Sequence, residues 1–207
     1  MSSEAGHFDQ PASREVLEQV ALRLRERNVG TLIVPDESSA RAAVLERLPA
    51  GAEIHAGKSK TLQDIGVTPL LAEGGTYTYL RNIYLKMDRS TQMREIRKLI
   101  SAPDFMLGSV SAVTRDGILV AGSATASQLG PYASGGGKVI LVVGSQKIVP
   151  NLDEALRRIR EYILPWEDAQ VRPLVPTGSF IGKILLVERE WIAGRIEVIL
   201  VQAPVGI

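Results

Sequence analysis

Apolar positions in the first third of the chain switch between two spacings. Val16, Leu17, Val20, Ala21 and Leu24 recur every three or four residues, the stripe of one helix face; Ser13 is placed to cap that helix, and Asn28 and Gly30 stop it. Residues 31–34 are a short continuous apolar run cut by Pro35, which predicts a buried strand. A second helix is expected with Ala40, Ala43, Val44 and Leu48 inward, capped by Ser38 or Ser39 and closed at Pro49-Ala50-Gly51. Residues 53–56 form a second strand candidate, and Gly57-Lys58-Ser59-Lys60 turns into a short helix ending near Gly66. Such alternation predicts an α/β fold, a mostly parallel sheet with helices on both faces.

The pattern is less regular from 76 to 101, where helix is expected and Ser90 is placed to cap a stretch with Met93, Ile96, Leu99 and Ile100 on one face. Residues 104–107 resume the sheet, and the apolar runs 110–113 and 118–121 flank Asp116-Gly117 as a hairpin. Gly135 to Gly137 are expected to supply positive φ at a turn into the buried strand 139–143. A helix with Leu152, Ala155, Leu156, Ile159 and Ile163 inward then enters at Pro150-Asn151 and stops at Pro165, with 165–176 as a connector. Residues 183–187 and 196–201 close the chain as two more strands, joined through 190–194, where Trp191 serves packing or an interface. Residues 1–12 read as a loosely ordered polar lead-in and 13–207 as one domain.

Composition removes several functions. Lys+Arg 24 against Asp+Glu 23 leaves a net charge of +1, so no nucleic-acid or membrane footprint is expected. With Cys 0, thiolate chemistry and cysteine-bound zinc or iron–sulfur clusters cannot come from this chain. With His 2, a metal site or a Ser–His relay is not expected, and His55, inside a strand pattern, reads as a satisfied core histidine. No apolar run approaches the ~20 residues of a membrane span, and the opening lacks an apolar leader core, so a cytoplasmic protein is expected.

What remains is a set of small polar loops. In open α/β sheets, ligands collect beyond the carboxyl ends of the strands. That rule nominates 35–39, 57–61, 108–128 and 144–149. These loops concentrate hydroxyls, glycines and two lysines: Lys58, Ser59, Ser109, Ser111, Ser123, Thr125, Ser127, Gln128, Gly144 and Lys147 are the candidate ligand-binding residues. Gly and Ser are also ordinary turn residues, so it is their convergence on one sheet edge that suggests a pocket for a carboxylate or phosphate. A lysine at a helix start costs ~0.3–1 kcal/mol, which an anion between Lys58 and Lys147 would offset. Gly130 to Lys138 is not a phosphate loop, because Lys138 is followed by Val139 and the glycines lead into a strand. No G-x-G-x-x-G follows a strand either, and no cofactor is called for.

Several segments, in order, resemble the LUD (lactate utilization domain) family, related to lactate utilization protein C. They are Gly57-Lys58-Ser59-Lys60-Thr61-Leu62; Asp104-Phe105-Met106-Leu107-Gly108-Ser109; Gly122-Ser123-Ala124-Thr125-Ala126-Ser127-Gln128; Gly144-Ser145-Gln146-Lys147-Ile148-Val149; and Arg195-Ile196-Glu197-Val198. The resemblance implies a Rossmann-like fold of the deaminase, isomerase and CoA-transferase kind. It implies a cluster-free accessory or sensing subunit in hydroxy- or keto-acid utilization, binding a small anionic metabolite, with an iron–sulfur subunit as candidate partner. Two alternatives stay open: an enzyme acting on a phosphosugar or CoA thioester in the same pocket, with Asp116, Asp36 or His55 as base, and a purely structural partner. Where CoA transferases of this fold carry a Glu-x-Gly-type turn, this chain reads Arg115-Asp116-Gly117, a shorter side chain that argues against covalent CoA transfer.

Overall fold

A computed structural model describes residues 8–207. Six parallel strands form the main sheet: β1 (Gly30–Val34), β2 (Glu53–Ala56), β3 (Thr78–Tyr79), β4 (Phe105–Gly108), β7 (Lys138–Gly144) and β10 (Ile196–Val201). Their spatial order is β1-β10-β7-β4-β2-β3, and every neighbouring pair runs parallel. A second sheet, in the order β8-β5-β6-β9, is built from β5 (Ala112–Thr114), β6 (Leu119–Ser123), β8 (Ile148–Val149) and β9 (Lys183–Val187). The hairpin expected around Asp116-Gly117 is β5–β6, but it belongs to this second sheet, as does β9.

The apolar runs are continuous because both faces of the main sheet are covered. Ile140 and Val142 of β7 face one core with α2 (Glu37–Glu46), α3 (Lys60–Asp64) and α4 (Val67–Glu73). Val139, Leu141 and Val143 face the other, with α1 (Arg14–Glu26) and the Val113, Leu119 and Ala121 side of the small sheet. The reverse side of the small sheet, Ala112 and Val120, packs on Ala155 and Ile159 of the following helical stretch and on Phe8. This is the expected Rossmann-like α/β arrangement, with a sheet in place of part of one helical layer. Of the lead-in, residues 1–7 lie outside the described residues; Phe8 is buried, and Ala12 N–H donates to Ser145 O at 3.4 Å.

Several local expectations are corrected. Ser13 caps α1, accepting from Val16 N–H, but α2 is capped by Asp36, whose Oδ1 accepts from Ser39 N–H at 2.8 Å. Asp36, two residues before Ser38, outcompetes either serine because its carboxylate also takes the Ser38 hydroxyl. Ser90 caps nothing helical; it bonds Asp88, and α6 (Met93–Ser101) has Gln92 at its N-cap position. The stretch before it breaks into β3 and α5 (Leu80–Tyr84). Gly135 to Gly137 keep ordinary φ; they are small because a Cβ would fall 1.8 Å from Ser101 O at Gly135 and 2.9 Å from Asp104 O at Gly137. Pro165 does not stop its helix. The chain runs from α7 (Leu152–Arg157) through a wide π turn (Arg158–Ile163) into α8 (Leu164–Val171), and the wide turn accommodates the proline that lacks a donor. The connector is therefore shorter than expected. Among the described residues, no helix is long and apolar enough to cross a membrane.

Candidate functional site

Beyond the carboxyl ends of β2, β4 and β7 lies a cavity of about 340 Å³. Its walls are the loop between β2 and α3, the loop between β4 and β5, the stretch following β6, and Trp166 and Glu167 of α8. The loop 35–39, also nominated from the sequence, does not reach it. β1 sits at the far edge of the sheet, with β10 between it and β7.

Lys147 leaves β7 on a 3-10 turn (Ser145–Lys147) and is only 3% exposed. Its Nζ donates to Thr61 Oγ1 at 2.8 Å and Ser109 Oγ at 3.0 Å. Burial, and then the charge of Arg158, push its pKa from 10.5 down to about 7, while Asp64 acts in the opposite sense. Arg158 is 0% exposed on the π turn behind Ser111. Its guanidinium donates to Ser111 O at 2.6 Å and Phe8 O at 3.3 Å, and lies 5.2 Å from the centre of the Tyr162 ring. Its Nε is buried without a partner among the described residues, and burial lowers its pKa from 12.5 to about 10. Neither cation forms an ion pair among the described residues. Arg195, equally buried, differs: Glu190 receives it at 2.5 and 2.9 Å. A buried cation without a counter-charge is expensive, and Lys147 in the cavity lining, with Arg158 behind Ser111, makes this cavity attractive to an anion.

The hydroxyls are brought together, but much of their capacity is used in holding the walls. Ser59 caps α3 through Leu62 N–H at 3.3 Å. Ser111 Oγ accepts from Gly122 N–H at 3.0 Å. Ser123 Oγ accepts from Ala126 N–H at 2.9 Å, fixing a loop in which Ala126 has φ 65. Gln128 Oε1 accepts from Ser123 at 3.1 Å and Ser127 at 3.3 Å, and Thr125 Oγ1 donates to Ser127 Oγ at 3.4 Å. Lys58 stands at the mouth, 3.4 Å from Glu167. All of these line the cavity; Gly144 does not. A Cβ at Gly144 would lie 2.2 Å from Gln146 Oε1 and 2.5 Å from Val205 N, so its smallness admits the C-terminal segment rather than a ligand.

Reading the sequence missed Thr61 as a side-chain partner, together with Arg158, Trp166 and Glu167. Arg158 follows Ala155 by three residues on the inward helix face, a periodic signal that could have found it. Three candidate bases fall elsewhere. Asp36 caps α2, and Asp116 accepts from Thr114 Oγ1 at 2.5 Å and pairs with Arg27 at 3.1 Å. His55 is a core residue as expected but not a satisfied one: both ring nitrogens lack partners among the described residues, and burial, then Arg81, lower its pKa to about 4.

A family model described as the LUD domain matches residues 17–201. No curated protein matches the chain. Among solved structures, the chain is similar to the crystal structure of a DUF162 family protein from Deinococcus radiodurans. That likeness has 16% identity and a TM-score of 0.54, and covers 92% of this chain and 99% of the other; at such identity it speaks to the fold alone.

Proposed function

The chain belongs to the LUD domain family, and from that premise we propose that its crevice binds a small anionic metabolite, serving as an accessory or sensing subunit linked to hydroxy- or keto-acid utilization. The observation that carries this reading is buried Lys147 in the lining of a hydroxyl-rich cavity, with buried Arg158 behind its Ser111 wall, neither of them ion-paired among the described residues. A carboxylate or phosphate there supplies the missing counter-charge. Lys147 neutralises it, Arg158 adds potential from behind Ser111, and Ser109 and Thr61 hold the ammonium in place. Because the chain has Cys 0, any iron–sulfur cluster in such a system belongs to a companion subunit.

The test is a thermal-shift panel of lactate, pyruvate, ribose 5-phosphate, glucosamine 6-phosphate and an acyl-CoA, on the parent and on Lys147→Met. Ligand at ~100 Kd stabilises by about 2.7 kcal/mol, a readable shift. A shift confined to the parent supports the reading; no shift with any compound, or an undiminished shift in Lys147→Met, refutes it.

A second reading, a structural partner, is favoured by Trp191 at 93% exposure beside exposed Ile192. Co-purification with an iron–sulfur protein that is lost in Trp191→Ser and kept in Lys147→Met would support it over the first.

A further inference from the structure

We propose that Lys147 forms a covalent imine with a small carbonyl compound whose carboxylate or phosphate is held in the same crevice. The anionic part of this inference rests on the reading above; the covalent part rests on how the amine is held.

Lysines at this crevice differ in their surroundings. Lys58 is exposed and faces Glu167, and Lys60 is paired with Asp64 on its own helix. Lys147 alone of the three has no carboxylate against it, among the described residues. The acid that acts on it from a distance, Asp64, is occupied: it receives Lys60 and the Gly206 N–H, the latter at 3.1 Å. Its two contacts, Thr61 Oγ1 and Ser109 Oγ, are neutral hydroxyls that accept from an ammonium or donate to a free amine with equal ease. They therefore fix the position of Nζ without fixing its charge. Arg158 from the π turn disfavours the ammonium, and the displaced pKa of about 7 leaves a large fraction as free amine at neutral pH. A desolvated, positioned free amine is a nucleophile; an ion-paired ammonium is not.

The C-terminal segment encloses the amine. Gln146 Nε2 donates to Val205 O at 3.0 Å and Gly206 O at 3.3 Å, and a Cβ at Gly206 would lie 3.1 Å from Lys147 Nζ. Shielding from water favours the dehydrated adduct over its hydrolysis.

The step balances without an oxidant or reductant. The Nζ lone pair attacks the carbonyl carbon and the C=O π pair moves to oxygen. The two amine hydrogens then leave with that oxygen as one water, and a C=N bond remains. Ser109 and Thr61, already bonded to Nζ, are placed to pass the proton.

The test treats the full chain with pyruvate or ribose 5-phosphate in the presence of sodium cyanoborohydride, followed by intact mass and peptide mapping. Near-stoichiometric labelling confined to Lys147, suppressed by the non-carbonyl competitor lactate, is the expected result. Labelling by pyruvate alone assigns a carboxylate anchor, and by ribose 5-phosphate alone a phosphate anchor. Lys147→Arg keeps a cation and the fold, checked by its melt, and should bind lactate but accept no label. A lactate-induced rise in the melting temperature of the parent without a Lys147 adduct overturns the imine while leaving anion binding intact. Absence of both the melt shift and the adduct overturns both, and label spread evenly over exposed lysines overturns the imine.

Discussion

Raising the pH from 7 to 9 should loosen the hold of the crevice on a carboxylate. Lys147 Nζ is buried, bonds two hydroxyls and feels the Arg158 charge; burial first and then that charge bring its pKa to about 7. A bound carboxylate restores the stability of the ammonium, so binding takes up a proton wherever the free crevice has lost one. In the free protein the protonated fraction falls from about one half at pH 7 to about one hundredth at pH 9. Affinity should therefore weaken roughly fiftyfold, about 2.3 kcal/mol, with little change below pH 6. Lactate is the ligand of choice, since its carboxylate stays ionised throughout and its hydroxyl cannot form an imine. Titration calorimetry in two buffers of different ionisation heat reads both the affinity and the proton uptake. An affinity that stays flat from pH 7 to 9 with no proton taken up, or an equally steep decline in Lys147→Met, would refute the assignment of Lys147 as the anion partner.

The same lysine should shape stability without ligand. Between about pH 7 and 10.5 the unfolded chain binds a proton that folded Lys147 has released, so stability should rise with pH across that window, and urea titrations of Lys147→Met should lose that contribution. His55 acts on the acid side: with its pKa lowered from 6.5 to about 4, stability should fall as the pH drops through that interval, by on the order of 3 kcal/mol, and His55→Leu should flatten the limb. Gly206→Ala places a Cβ 2.1 Å from Thr61 Oγ1 at φ +74, so a loss of ~1–3 kcal/mol in denaturant unfolding together with weaker lactate binding is expected. Gly108→Ala puts a Cβ 1.7 Å from Tyr132 Oη; its destabilisation should be partly relieved by adding Tyr132→Phe, and strict additivity in the double-mutant cycle would contradict that contact.

Much of the crevice was legible because its parts are local. Hydroxyls and glycines at strand ends are written consecutively in 57–61, 109–111 and 123–128, and the rule that ligands gather beyond the carboxyl ends of parallel strands carried these loops to one place. The same rule overreached at 35–39, since it says nothing about which strand lies at which edge. Gly144 lies outside the cavity lining for a related reason: a glycine needed because another backbone passes close looks, in sequence, like a glycine needed by a ligand.

The sequence by itself determined the helices and strands whose signals span a turn or two, such as the Ser13-capped α1 and the doubly buried β7, and hence the α/β class. Only the tertiary structure decided that β5, β6, β8 and β9 separate into their own sheet, that the helix passes Pro165 through a π turn, and that Lys147 meets Thr61 across 86 residues. Spacing and capping are set by neighbours along the chain. Strand order, and the burial of a lysine and an arginine without counter-charges among the described residues, are set by packing between segments far apart in it.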